Sequence, residues 1–217
     1  MSEAHERPQA DGDAPSSRGA RTRAKLRKAA LDAFGELGWL ATRVEDIVTR
    51  AGVSHGTFYT YYKNKAEILD DLVRSSQADI AGLALQAWQA DDVRGALERV
   101  MGGFLDRYDR DAVIMRTWLQ AARDEPAFGA LYLASRRLFV ERVAENVAAT
   151  VQASGRGRRL PPMTVASALV AMVEHFAHCW LVLGEEHERQ DAIDSLVLVW
   201  GSTLNTLAGF GVVDLED

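Results

Sequence analysis

The run Ser54-His55-Gly56-Thr57-Phe58-Tyr59-Thr60-Tyr61-Tyr62-Lys63-Asn64-Lys65 is rich in neutral hydrogen-bonding side chains, lacks a carboxylate and ends beside two lysines. Such groups suit base edges, and the lysines suit phosphate. Phe58 and Tyr62 are four apart, so on a helix they share an inward face with Val53. His55, Gly56, Tyr59 and Thr60 then face outward. Gly56 destabilises an ordinary helix, but it fits one whose backbone must approach another surface closely.

A second constellation lies far along the chain. His175, His178 and Cys179 are spaced three and four apart, on one side of a helix, which is compatible with a metal. No third or fourth ligand is evident and no H-E-x-x-H spacing occurs, so these read as core or pocket groups. Neither a metal nor any other cofactor is expected. There is also no glycine-rich phosphate loop and no nucleophile elbow, so an enzyme is not expected. The single cysteine excludes an internal disulfide and fits a reducing cytosol. With no secretory signal in the first twenty residues, a cytoplasmic protein is expected.

The elements that must position the first set follow from periodicity. A helix is expected from Arg21, with Leu26, Ala30, Ala33 and Leu37 inward beside Phe34 and a stop at Gly38. Thr42-Arg43-Val44-Glu45 reads as a capping box opening a short helix that buries Val44, Ile47, Val48 and Ala51 and ends at Gly52. Ser54 caps the next, which runs to about Tyr62. Two short helices meeting at Ala51-Gly52-Val53-Ser54 have helix-turn-helix spacing. Charge agrees. Residues 18–65 carry ten Lys and Arg against four Asp and Glu, whereas residues 66–217 carry fourteen against twenty-three. A basic module joined to an acidic one places the polyanion at the first.

The remainder reads as helices near 65–89, 92–108, 110–123, 126–153, 162–184 and 190–209, with no strand pattern. The expected fold is all-α, with about nine helices: a tail over 1–20 with almost nothing to bury, a three-helix helix-turn-helix domain over 21–66, and a helical effector-binding and dimerisation domain over 67–217. Arg18, Arg21 and Arg23 suit either an arm entering the minor groove or a solubilising tail. The apolar stretch 165–183 contains Glu174, His175 and His178, so it reads as a buried helix and no membrane partner is expected.

From about Thr22 to Leu72, the glycine-valine-serine turn, the following glycine-threonine and tyrosines, and the lysine opening the fourth helix closely resemble the DNA-binding signature of the TetR family of repressors. The resemblance implies roles position by position. Thr42 or Arg43 touches phosphate, and Ser54, His55, Gly56, Thr57 and Thr60 read bases or place the recognition helix. Tyr59 and Tyr61 contact phosphate or base edges, and Lys65 holds phosphate at a helix N-terminus.

A domain of this size needs no large partner merely to bind DNA, so the rest of the chain is expected to dimerise the protein and sense a ligand. Two recognition helices about 34–36 Å apart read the half-sites of a palindromic operator in double-stranded DNA. The last two helices, carrying Val165, Leu169, Met172, Val173 and Phe176 and then Ile193, Leu196, Val197, Val199, Trp200, Thr203, Leu204 and Leu207, are the expected homodimer contact. Phe104, Tyr108, Met115, Trp118, Phe139 and Trp180, with Glu174, His175 and His178 as polar points, are the expected lining for a small, largely apolar effector. Trp88, Tyr132 and Phe176 are further aromatic candidates. The expectation is therefore a repressor released by that effector, with control by a protein partner or an activating role as the alternatives.

Overall fold

A computed structural model of the chain describes residues 17–86, 93–154 and 160–209, and the described residues form helices with no strand. In chain order they are α1 (Ser17–Ala41), α2 (Val44–Ala51), α3 (His55–Tyr61), α4 (Lys65–Gln86), α5 (Val93–Arg110), α6 (Ala112–Asp124), α7 (Pro126–Ser154), α8 (Pro162–Leu181) and α9 (Arg189–Leu207).

Helix α1 starts four residues before the expected Arg21. It buries Leu26, Ala29, Ala30, Ala33 and Phe34, the stripe that i, i+3, i+4 spacing creates. Gly38 interrupts it with φ 75° and ψ 176°, a conformation that only glycine adopts readily. The chain bends there and returns Trp39 to the core, tilted against Phe34 and edge-on to Phe128.

The capping of α2 differs by one residue from the expected box. Arg43 is the N-cap residue, and its backbone N–H donates to the Asp46 carboxylate at 2.8 Å. Thr42 turns inward and donates its hydroxyl toward the carbonyls of Gly38 and Ala33. A buried threonine this close to the kink finds those carbonyls nearer than the amides of α2. Gly52 then ends α2 in the left-handed region, with φ 64°.

The larger part of the molecule packs α7 along α8 and α5 along α9. Val140, Val143, Ala144 and Val147 of α7 are buried, as are Ala166, Val170, Val173 and Ala177 of α8. At the turn between α5 and α6, the Asp111 carboxylate accepts from Ser76 of α4 at 2.6 Å and from Arg107 of α5 at 2.8 Å. This charge-assisted junction fixes three helices together. Helix α8 has the length and apolar character of a membrane span, yet it carries Glu174 in a 3.0 Å ion pair with Arg136 of α7.

The apolar residues expected to form a dimer face are mostly core. Leu169, Val173, Ile193, Leu196, Val197, Trp200, Leu204 and Leu207 are all buried within one copy of the chain. What α8 and α9 leave outward is narrower: Val165, Met172 and Phe176 are half-buried, and Leu198 and Val199 are exposed.

Candidate nucleic-acid interface and effector cavity

Helix α3 has only seven residues, too few to be stable alone. Three features hold it. Ser54 Oγ accepts the backbone N–H of Thr57 at 3.1 Å, a cap that contributes about 1 kcal/mol. Phe58 is fully buried, against Tyr62 and the edge of Tyr59. Tyr62, almost fully buried, donates its hydroxyl to Asp71 of α4 at 2.7 Å, and Arg23 of α1 donates to that hydroxyl at 3.2 Å. Burial pushes the Tyr62 phenol up to about 12, with the Asp71 carboxylate adding to the effect.

The outer face carries His55, Gly56, Tyr59 and Thr60, all exposed, with Thr57 and Tyr61 half-buried at its sides. A methyl group at Gly56 would meet nothing closer than Ser54 Oγ at 3.8 Å, so the space in front of it is open. One acid reaches this face from outside α3: the Glu45 carboxylate of α2 lies 2.9 Å from His55 Nε2. Arg43 is exposed at the start of α2.

Lys65 is turned the other way. Its ammonium donates to the carbonyls of Trp39 at 2.6 Å, Thr42 at 2.9 Å and Leu40 at 3.4 Å, and it lies 4.5 Å from the Trp39 ring centroid. Three donors meet three acceptors, so here the side chain caps the end of α1. Partial burial lowers its pKa, and Glu125 opposes that shift. The three arginines weighed as an arm, Arg18, Arg21 and Arg23, are inside α1, and Arg23 is engaged with Tyr62 and Asp71.

The second site is a cavity of about 510 Å3 among α4 to α8, within the range of small-molecule sites. Of the residues named from sequence, Phe104, Tyr108, Met115, Trp118, Phe139, Glu174, His175 and His178 line it, and so does Tyr132. Trp180 does not. The α8 lining is Ala171, Glu174, His175 and His178, a stripe at helical spacing that leaves Trp180 turned toward Phe176 and His187. Trp88 lies outside the described residues. Arg136 was missed. It anchors on the Ser167 carbonyl at 2.7 Å and the Ser167 hydroxyl at 3.1 Å while pairing with Glu174. Burial raises the Glu174 pKa, and Arg136 pulls it back. His178 is lowered by burial and by His175, and its Nδ1 lies 3.4 Å from the Tyr108 hydroxyl. His175 Nε2 is 3.6 Å from Cys179 Sγ, and no group of three possible metal ligands gathers among the described residues.

Comparison with known proteins bears on the first site. Residues 26–72 match the family described as bacterial regulatory proteins, tetR family. The HTH-type transcriptional regulator BetI of Serratia proteamaculans is 29% identical over 141 residues, spanning 62% of this chain and 71% of that protein. The uncharacterized HTH-type transcriptional regulator YdgC of Bacillus subtilis is 26% identical over 177 residues, 77% of this chain and 85% of that one. Residues 26–72 are thus a DNA-binding module of the TetR type, and the similarity to transcriptional regulators runs on beyond it. A putative TetR-family transcriptional regulator from Syntrophomonas wolfei shares the fold of this chain, with a TM-score of 0.69 at 19% identity over 91% of this chain and 99% of that one.

Helix α6 faces the cavity on one side and packs on α1 on the other. Met115, Trp118 and Leu119 line the cavity. On the same helix, Gln120 Oε1 accepts the Trp39 backbone N–H at 3.0 Å and Arg116 donates to the Gly35 carbonyl at 2.7 Å. Of the described side chains of α4, Gln77 reaches the cavity. The i, i+4, i+7 spacing of Tyr132, Arg136 and Phe139 on α7 was the available signal for the missed arginine.

Proposed function

We propose that this regulator is a cytoplasmic repressor that binds a palindromic operator as a homodimer and is released by a small, largely apolar effector. Its duplex-facing groups are Arg43, Ser54, His55, Gly56, Thr57, Tyr59, Thr60 and Tyr61. Thr42 and Lys65 set the ends of α1 and α2 from which these residues project. Arginine and backbone contacts to phosphate supply affinity, and His55, Thr57 and Thr60 supply part of the sequence preference. The outward residues of α8 and α9, including Leu198 and Val199, supply the dimer contact.

The observation that carries the release mechanism is the two-sided placement of α6 between the cavity and the kinked end of α1. A ligand that prefers a displaced α6 draws on the Gln120 and Arg116 links and moves the helix-turn-helix. Equal affinity for both arrangements would shift nothing. A roomy aromatic cavity favours a small molecule over a protein partner.

The test is selection of randomised duplex DNA by the purified protein, followed by transcription from a promoter overlapping the selected site. The expected result is a palindrome whose half-sites are one helical turn apart, with transcription falling on addition of protein. His55→Ala should alter the selected sequence and Tyr59→Ala should weaken binding to all sequences. Enrichment of no sequence, or transcription that rises with protein, would overturn the repressor reading.

A further inference from the structure

The aromatic cavity adjoins a second, narrower one. Phe104, Phe139 and Glu174 belong to both walls, and beyond them lies a space of about 30 Å3 closed by apolar side chains such as Met101 and Val173, with Arg142 at its side and Trp200 of α9. Trp200 is only 4% exposed, and its indole N–H has no acceptor among the described residues. Trp118, also buried, donates to the Phe128 carbonyl at 3.3 Å. Buried donors are rarely left without an acceptor, and each exception calls for an explanation. A phenylalanine or leucine would fill the Trp200 position without stranding a donor.

Resting on the effector reading above, we infer that the effector spans both cavities, placing an apolar body in the larger one and a neutral hydrogen-bond acceptor, of the ketone, ester or amide class, against the indole N–H of Trp200. Three observations select that chemistry. Indole nitrogen donates and never accepts, so its partner must be an acceptor. The narrow space admits a group of about one or two waters' size, which suits a carbonyl and excludes a second ring. Glu174 shares the wall, so an anionic acceptor would face a carboxylate, while the Arg142 guanidinium is drawn aside to Glu145 at 2.9 Å. A neutral acceptor meets neither obstacle.

The experiment uses the full-length protein with two probes of matched shape, 2-decanone and n-decane, and follows the indole N–H resonances by NMR, with Trp200→Phe identifying the Trp200 signal. The ketone is expected to bind about tenfold more tightly than the alkane, the size of one net hydrogen bond, and to move the Trp200 indole proton. In Trp200→Phe that preference should vanish while both probes still bind. A Trp200 resonance unmoved by saturating ketone, or a ketone preference that survives Trp200→Phe, overturns this inference and leaves the effector cavity standing. Binding of neither probe overturns both.

Discussion

The side-chain oxygen of Gln120, on α6, accepts the backbone N–H of Trp39 at 3.0 Å, joining the cavity-lining helix to the residue just past the Gly38 kink. That amide cannot use an ordinary helical partner, because the kink removes it. Gln120→Ala should therefore lower stability by about 1 kcal/mol, the net value of one such bond, and speed hydrogen exchange at the Trp39 amide. Unchanged exchange at that position would show that the bond does not persist in solution.

Lys65 offers a choice between two roles with different signatures. A capping ammonium predicts that Lys65→Met lowers the melting temperature and weakens DNA binding without changing its salt dependence. A phosphate contact predicts unchanged stability and a shallower dependence, by about 0.9 in the slope of log K against log salt. The three carbonyl contacts favour the first outcome, and parallel melting and salt-titration curves decide it.

Gly56 separates folding from binding. The open space in front of it and its helical position predict that Gly56→Ala stabilises the domain by about 0.5–1 kcal/mol. The added methyl should nonetheless reduce operator affinity, since in the proposed docking of α3 it stands between the helix backbone and the duplex. Denaturant melts and DNA titrations of the same variant should move in opposite directions.

Tyr62 gives the domain an alkaline limit. Its phenol is raised from 10.0 to about 12, chiefly by burial, so between those values the unfolded chain loses a proton that the folded one keeps. Stability is intact below pH 10 and falls as pH rises through that window. Tyr62→Phe should flatten this alkaline fall. A pH series of urea midpoints for both proteins checks it, and identical slopes would contradict the assignment.

Much of this architecture was legible because its helix breaks are written in local chemistry. Gly38, Gly52, Ser54, Pro126 and Pro162 act within a turn of themselves, and the observed helices follow them closely. Residues that act across the fold were not legible. Thr42 turned inward because the Gly38 kink brought two carbonyls to it. The apparent arm arginine Arg23 found Asp71, 48 positions away. Trp180 was placed in the cavity by its aromatic type, although its position relative to Glu174 and His178 on α8 already turned it away. Arg136 shares a helical stripe with Tyr132 and Phe139, but the Ser167 and Glu174 contacts that hold it lie 31 and 38 positions away.

The shortness of α3 has a genetic consequence. A seven-residue helix that owes its position to Phe58 and Tyr62 has no existence apart from its neighbours. Truncating Phe58 to alanine should remove about 3–5 kcal/mol and abolish recognition without altering one exposed atom of the reading face. Random mutagenesis for loss of operator occupancy should therefore return interior positions such as Phe34 and Leu69 alongside His55 and Thr60, and a map of inactivating alleles will trace the scaffold as faithfully as the contact surface.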